Sequence, residues 1–367
     1  MTTIETKPWY SPLQEFFSRS SASKKVESPK AVAPQSMEKV TGFPSGFHVY
    51  GITQSTNKNL LIGAGNPVTG EGAVFVKTSE GSWSKHVLPD ETAFINRFVE
   101  LSDGRLIAGG MNVIGRAAIL MGSADHKQWK CIDRDLYAYS QIYSIVCLPN
   151  GEVIASTGKM ITQGKTKPVF FRSKDLGETW ELEEFELPIT AFHTLWYDHD
   201  EKSLYGGTCG DHNPSLYVSK DDGHTWQQLP ELPAYKTYKT IALEKVVIKG
   251  EKKLLAVMWG YKLDIADRVV RLYVLEGDQW AQLPEVQDSH FIFDFYVDRL
   301  GVFYAGSEKG KLLSSDDQGH TWKELAAFDT NIGAQAMHED DQGTLWIGKD
   351  FVTPDHYSLW KVKSQYR

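Results

Sequence analysis

Asp211 and His212 are adjacent in the segment CGDHNPS, and His48 and His193 each stand near the start of a short β-branched run. A neighbouring carboxylate and imidazole can pass a proton, so Asp211 and His212, together with the carboxylate of Asp294, are the candidate catalytic residues. A metal centre needs about three converging ligands. No spacing of histidines and cysteines provides them, so neither a metal nor another cofactor is expected. Cys131, Cys147 and Cys209 read as small, reduced core residues. No phosphate-cradling glycine loop, nucleophile elbow or Cys/His triad signature occurs in the chain. Any chemistry must therefore be assembled from residues far apart in sequence, which puts the weight on the elements that hold them.

Those elements repeat. Trp83, Trp129, Trp180, Trp226, Trp280 and Trp322 follow similar short motifs at intervals of roughly 42 to 54 residues, the period of a four-stranded propeller blade. One unit reads FINRFVEL, GRLIAGG, AAILMGS and WKCID; its counterparts read YSIVCL, GEVIAST, VFFRS and WELEEF, then FHTLWYD, KSLYGGT, SLYVS and WQQLP. Each segment is short, β-branched or aromatic, and bounded by Gly, Asn, Asp or Pro, which marks strands. Four more first strands, FHVYGIT, YKTIALE, FIFDFYVD and AQAMHED, bring the count to seven. The last unit has only AQAMHED, TLWIGKD and SLWKVKS, while MEKVTGF at residues 37–43 precedes FHVYGIT where a fourth strand would stand. The expected fold is therefore all-β: a seven-bladed propeller of four-stranded antiparallel blades over residues 37–367. The 37–43 strand would complete the last blade and close the ring. Residues 1–36, rich in Ser, Lys and Pro and without periodicity, are expected as a flexible arm.

Three of the Trp motifs fit Ser-x-Asp-x-Gly-x-Thr-Trp without a break: SKDLGETW at 173–180, SKDDGHTW at 219–226 and SDDQGHTW at 315–322. Degenerate versions stand at 78–83, 123–129 and 275–280. The pattern resembles the Asp-box, or BNR repeat, of sialidases, xyloglucanases, sortilin-type receptors and several lectins and assembly factors. In such a turn Ser and Asp satisfy backbone groups, Gly supplies a positive φ and Trp covers the gap between neighbouring sheets. Ser173, Asp175, Gly177 and Trp180 are thus structural residues, as are Ser219, Asp221, Gly223 and Trp226, and Ser315, Asp317, Gly319 and Trp322. The resemblance implies that these turns lie on the rim opposite the usual ligand face. It carries no activity across. Sialidases are six-bladed and need an Arg-Ile-Pro and a trio of arginines on the substrate carboxylate; this chain has no Arg-Ile-Pro, and among its first strands Arg97 is the one arginine. Xyloglucanases of this type work in a cleft between two propellers, and this chain supplies one.

Aligned, the first strands set His48, Asn96, Tyr143, His193, Lys239, Phe293 and Gln335 in one column. Val49, Arg97, Ser144, Thr194, Thr240, Asp294 and Ala336 form the next, between apolar columns. Polar residues that differ from unit to unit at a repeated position suit a concave ligand site. The expected binding rim comprises His48, Asn96, Arg97, Tyr143, His193, Lys239, Asp294 and Gln335, with Tyr261 and Lys262 from the long loop WGYKLDIADRV.

With 39 Lys and Arg against 47 Asp and Glu the net charge is −8, which argues against nucleic acid and anionic lipid as partners. No apolar run approaches the roughly 18 residues of a membrane span, and the N-terminus lacks a secretory pattern. A cytoplasmic protein, or one exported without a cleaved signal peptide, is expected. Within the arm Trp9, Leu13, Phe16 and Phe17 cluster around SPLQEFF, an amphipathic anchor for a protein partner. The expected function is a non-catalytic binding or scaffolding propeller whose arm docks on a macromolecular assembly and whose rim takes a ligand. The alternative is a carbohydrate-active protein, lectin or glycoside hydrolase, with a glycan or small polar ligand at the channel mouth.

Overall fold

A computed structural model describes residues 37–89, 92–132, 138–160, 166–209, 215–233, 239–259, 270–286, 289, 292–307, 309–328, 333–349 and 358–363. Asp211, His212, Tyr261 and Lys262, and Trp9, Leu13, Phe16 and Phe17 of the arm, lie outside the described residues.

Regular structure among the described residues is strand throughout. In chain order come β1 (Glu38–Lys39), then β2 (His48–Gln54), β3 (Leu60–Gly65), β4 (Gly72–Lys77) and β5 (Trp83–Val87). Next are β6 (Thr92–Glu100), β7 (Leu106–Asn112), β8 (Ala117–Gly122) and β9 (Trp129–Cys131), followed by β10 (Ser144–Cys147), β11 (Val153–Met160), β12 (Thr166–Ser173) and β13 (Glu181–Glu184). The middle of the chain forms β14 (Ala191–Asp198), β15 (Ser203–Cys209), β16 (Leu216–Ser219) and β17 (Gln227–Gln228), then β18 (Lys239–Ile248), β19 (Glu251–Trp259), β20 (Val270–Glu276) and β21 (Gln279–Gln282). Last come β22 (Ile292–Val297), β23 (Phe303–Ser307), β24 (Lys311–Ser315) and β25 (Lys323–Ala327), and β26 (Ala334–Glu339), β27 (Thr344–Lys349) and β28 (Leu359–Lys363).

Five sheets have four strands each, and β14–β21 share one sheet of eight. That larger sheet is two meanders joined where β15 meets β18 at the single pair Cys209↔Lys239. Neighbouring strands pair antiparallel, as tight turns between consecutive strands require. β1 pairs β28 through Glu38↔Lys361 and Lys39↔Trp360, and Val40 N donates to Leu359 O at 3.1 Å. The N-terminal segment thus lies on the outer edge of the sheet formed by the end of the chain.

Burial falls from the inner strands outward. β3 is buried along its whole length, whereas β13 and β17 are largely exposed. The inner strands have a sheet packed on each face, so they read as continuous apolar runs such as LLIGAG rather than as alternation. Seven apolar clusters fill the spaces between sheets, each drawing side chains from two consecutive four-stranded units. One of them joins Val49, Ile62 and Phe75 near the start of the chain to Ala336, Trp346 and Leu359 near its end. The first strands of the units are neighbours in sequence order, from β2 against β6 through to β22 against β26, and β26 again contacts β2.

The three full Ser-x-Asp-x-Gly-x-Thr-Trp segments adopt one turn. Ser173 Oγ donates to Asp175 Oδ1 at 2.8 Å and accepts from Gly177 N at 2.7 Å. Asp175 in turn accepts from Thr179 N at 2.8 Å and Thr179 Oγ1 at 2.6 Å. The same bonds recur around Asp221 and Asp317. Trp226 then lies against Phe170 of one unit and Phe192 of the next, with ring centroids 5.9 and 4.4 Å away.

Candidate functional site

Six of the first strands carry a β-bulge at the same place, one extra residue that leaves the ladder and turns its side chain aside. The skipped residues are Tyr50, Asn96, His193, Ile241, Phe293 and Gln335. Tyr143, immediately before β10, takes the same place in its unit, between Ile142 and the paired Ser144. The column read from the sequence is therefore corrected in two units: His48 and Lys239 stand two residues before the bulge, and Tyr50 and Ile241 occupy it. A signal for the true register was present. In several units the residue just before the bulge lies against a glycine of the preceding unit's second strand; a Cβ on Gly109 would come 2.6 Å from Ile142, one on Gly207 2.5 Å from Thr240, and one on Gly348 2.2 Å from Val49. A side chain branched at Cβ facing an obligatory glycine selects Val49 over Phe47.

The polar first-strand residues are sealed rather than wet. Asn96, Arg97 and His193 are 0% exposed, and Lys239, Gln335, Asp294 and His48 are also buried. Asn96, Arg97, Tyr143, His193 and Lys239 are brought together along consecutive units. Arg97 donates from Nε to Tyr143 O at 3.1 Å and from Nη1 to Asn96 O at 2.7 Å. The Tyr143 ring stands 5.4 Å from that of His193. His193 Nδ1 lies 2.8 Å from Thr240 O, and since a carbonyl can only accept, Nδ1 carries the proton and Nε2 presents a lone pair. Burial first, then the charges of Lys239 and Arg97, hold the His193 pKa well below its ordinary value, so the ring is neutral. Lys239 Nζ sits over Trp259, 5.5 Å from the ring centroid. On the first unit, Tyr50 OH meets His48 Nδ1 at 3.2 Å, and the Tyr50 ring stacks on Phe94 of the second unit at 4.2 Å. Both side-chain polar atoms of Asn96, and Nε2 of Gln335, are buried with no hydrogen-bond partner among the described residues.

Asp294 is the one candidate catalytic residue among those described; it follows the bulge in β22, at the place Arg97, Ser144 and Thr194 hold in their units. Among the described residues no group of three His, Cys, Asp or Glu side chains could hold a metal ion. The three cysteines are half-buried rather than sealed in the core. Among the described residues no helix is long and apolar enough to cross a membrane.

No family model matches the chain, and no curated protein matches it. Solved structures do. A virginiamycin B lyase from Staphylococcus aureus, crystallised with quinupristin, superposes with a TM-score of 0.62 at 13% identity, over 90% of this chain and 99% of that one. YCF48 bound to D1 peptide superposes with a TM-score of 0.58 at 11% identity, over 93% and 100% of the two chains. A chain of the mitotic checkpoint complex gives 0.57 at 10% identity, over 98% and 99%. These are β-propellers, and at such identities the likeness establishes the fold of this chain as a β-propeller and nothing further.

Proposed function

We propose that this chain is a closed, seven-bladed propeller of the Asp-box type that binds rather than catalyses, offering its polar first-strand ring to a ligand and residues 1–36 to a protein partner. One observation carries the binding role: at the bulge, a position every unit repeats, the side chain changes from Tyr50 to Asn96, Tyr143, His193, Ile241, Phe293 and Gln335, polar in five of the seven units. Packing alone favours like residues at like positions, so this variation is what a site assembled from several blades requires. Seven inter-sheet clusters and the pairing of β1 with β28 support the blade count and the closure. The three matching turns around Asp175, Asp221 and Asp317 support the Asp-box assignment.

The neighbours are consistent with a partner-binding role, because one is held with a peptide and another belongs to a multi-protein complex. The fold also serves a lyase, so binding has to be tested rather than assumed. Affinity capture from native lysate, using the full chain beside one lacking residues 1–36, should recover a partner that disappears on deletion while both chains melt at the same temperature. Equal recovery by both chains, or none by either, would remove the arm's docking role.

A further inference from the structure

We propose that the hairpin tips between β3 and β4 and between β7 and β8 form an apolar docking surface, and that its occupant in the free chain is the aromatic segment of the arm, Trp9 to Phe17. The inference goes beyond the partner reading above: it says where the arm docks before a partner takes it.

Side chains at the centre of a tight turn are ordinarily small or polar, because such residues bond to the turn backbone and face water. The first tip instead carries Val68 between Asn66 and Gly70, and the second carries Val113 and Ile114 between Asn112 and Gly115. Val68 is 82% exposed, Ile114 59% and Val113 44%. The two tips touch, since a Cβ on Gly70 would come 3.3 Å from Val113 Cγ1. Val87, 57% exposed, stands at the same end of the first unit, paired with Ala73 just after the tip. Of the six large apolar side chains exposed among the described residues, four therefore gather on these two units. Scattered singly such residues need no explanation; gathered, they mark an interaction surface.

Hydrogen bonds hold the tips in that attitude. Asn66 Oδ1 accepts from Val68 N at 2.9 Å and Thr69 N at 3.1 Å, and Asn112 Oδ1 accepts from Ile114 N at 3.2 Å and Arg116 N at 2.9 Å. The apolar side chains are thus presented on fixed turns, so covering them costs little further ordering of the backbone.

Chemistry, position and charge all select the arm as occupant. Residues 9–17 hold Trp9, Tyr10, Leu13, Phe16 and Phe17, with Leu13, Phe16 and Phe17 at the i, i+3, i+4 spacing that anchors a segment on an apolar surface. The arm joins the propeller beside the tips: β1 lies on the last sheet, which packs on the first, and a Cβ on Gly46, between β1 and β2, would come 3.7 Å from Asn66 Nδ2. The stretch from Phe17 to Met37, about 20 residues, reaches roughly 66 Å at full extension, whereas neighbouring sheets pack about 10 Å apart. Residues 1–36 carry five Lys and Arg against three Glu, a net charge of +2, which leaves −10 on the remainder of a chain whose total is −8, so the arm is drawn to its own propeller. Tethering also keeps the segment at an effective concentration of about a millimolar over the tips.

The test uses the full-length chain with Phe16 replaced by the photoreactive p-benzoylphenylalanine, irradiated as a mixture of isotope-labelled and unlabelled protein and mapped by mass spectrometry. Adducts should fall within one chain, on residues 66–71 or 112–116 or on Val87, with a yield independent of dilution. Ile114→Asp puts a charge on the surface and should lower that yield about tenfold or more, whereas Ile114→Leu should keep it. Leu182→Asp, at an exposed apolar side chain of β13, should leave the yield unchanged; an equal loss there would mark unspecific contact and overturn the proposal. Adducts joining labelled to unlabelled chains would give the surface to a second copy and overturn docking within one chain. Adducts elsewhere, none at all, or a yield indifferent to Ile114→Asp would each overturn the docking surface. A captured partner that still depends on residues 1–36 while these adducts are absent would overturn this contact alone, so the two readings fail separately.

Discussion

At Gly177 two demands coincide: its φ is 83°, and a Cβ there would come 2.4 Å from Ile107 Cδ1 on the preceding sheet. Gly177→Ala should therefore cost about 2 to 4 kcal/mol in urea unfolding, combining the left-handed backbone with overpacking. Gly115 has nearly the same φ, 81°, but open space around it, so Gly115→Ala should cost only about 1 kcal/mol. Equal losses at the two sites would mean that the turn does not pack against its neighbour. Trp226 tests the same packing from the other side: wedged between Phe170 and Phe192, its replacement by Ala should cost about 3 kcal/mol or more.

Turns of the same fold treat their aspartates in opposite ways. The hydroxyl and backbone N–H of Thr179 lower the Asp175 pKa to about 2. A carboxyl lowered in the folded state supports stability above its unfolded pKa near 3.8 and loses that support as pH falls through the folded value. Asp298, in the turn between β22 and β23, accepts from Leu300 N and Val302 N at 2.9 Å and from Tyr304 OH at 3.1 Å. Burial nevertheless outweighs these bonds and, with Glu339 nearby, raises its pKa to about 6. The folded state then holds the extra proton between about pH 4 and 6, so stability should fall as pH rises through that window. Asp298→Asn keeps the acceptor oxygen and removes the charge. It should flatten the pH dependence and gain on the order of 2 kcal/mol at pH 7, measured by urea midpoints from pH 4 to 7; a mutant that keeps the wild-type slope would assign that slope to another group.

Across the whole molecule the decisive contact is between the two ends of the chain. Val40 and Phe43 are buried in the cluster shared by the first and last sheets, with the Phe43 ring 4.7 Å from Phe75 and 5.7 Å from Trp83. On the surface of that seam Gln54 and Asp341 exchange hydrogen bonds of 3.0 and 2.8 Å, and Lys58 pairs with Asp341 at 3.1 Å. Apolar burial should outweigh the exposed polar latch: Phe43→Ala is expected to cost about 3 kcal/mol, and Asp341→Ala less than about 1 kcal/mol. A reversal of that order in thermal unfolding would put the strength of the seam in its ion pair.

Strand positions, the antiparallel meanders and the three Ser-x-Asp-x-Gly-x-Thr-Trp turns were legible in the sequence, because each follows from local chemistry: β-branched runs, turn residues and side chains bonding to backbone within eight residues. The polar ring was legible in outline, since Asn96, Arg97, Tyr143 and His193 do come together. Its register was not. A bulge is fixed by how a first strand meets the preceding unit, and at Val49 and Thr240 the partners are Gly348 and Gly207 of that unit, a contact that no local pattern encodes. The sealing of the ring was equally invisible, because burial of Asn96 or His193 depends on neighbouring units closing around it. Residue type and spacing determined the strands and turns; only packing between units decided which side chains face one another and which charges are shut away from water.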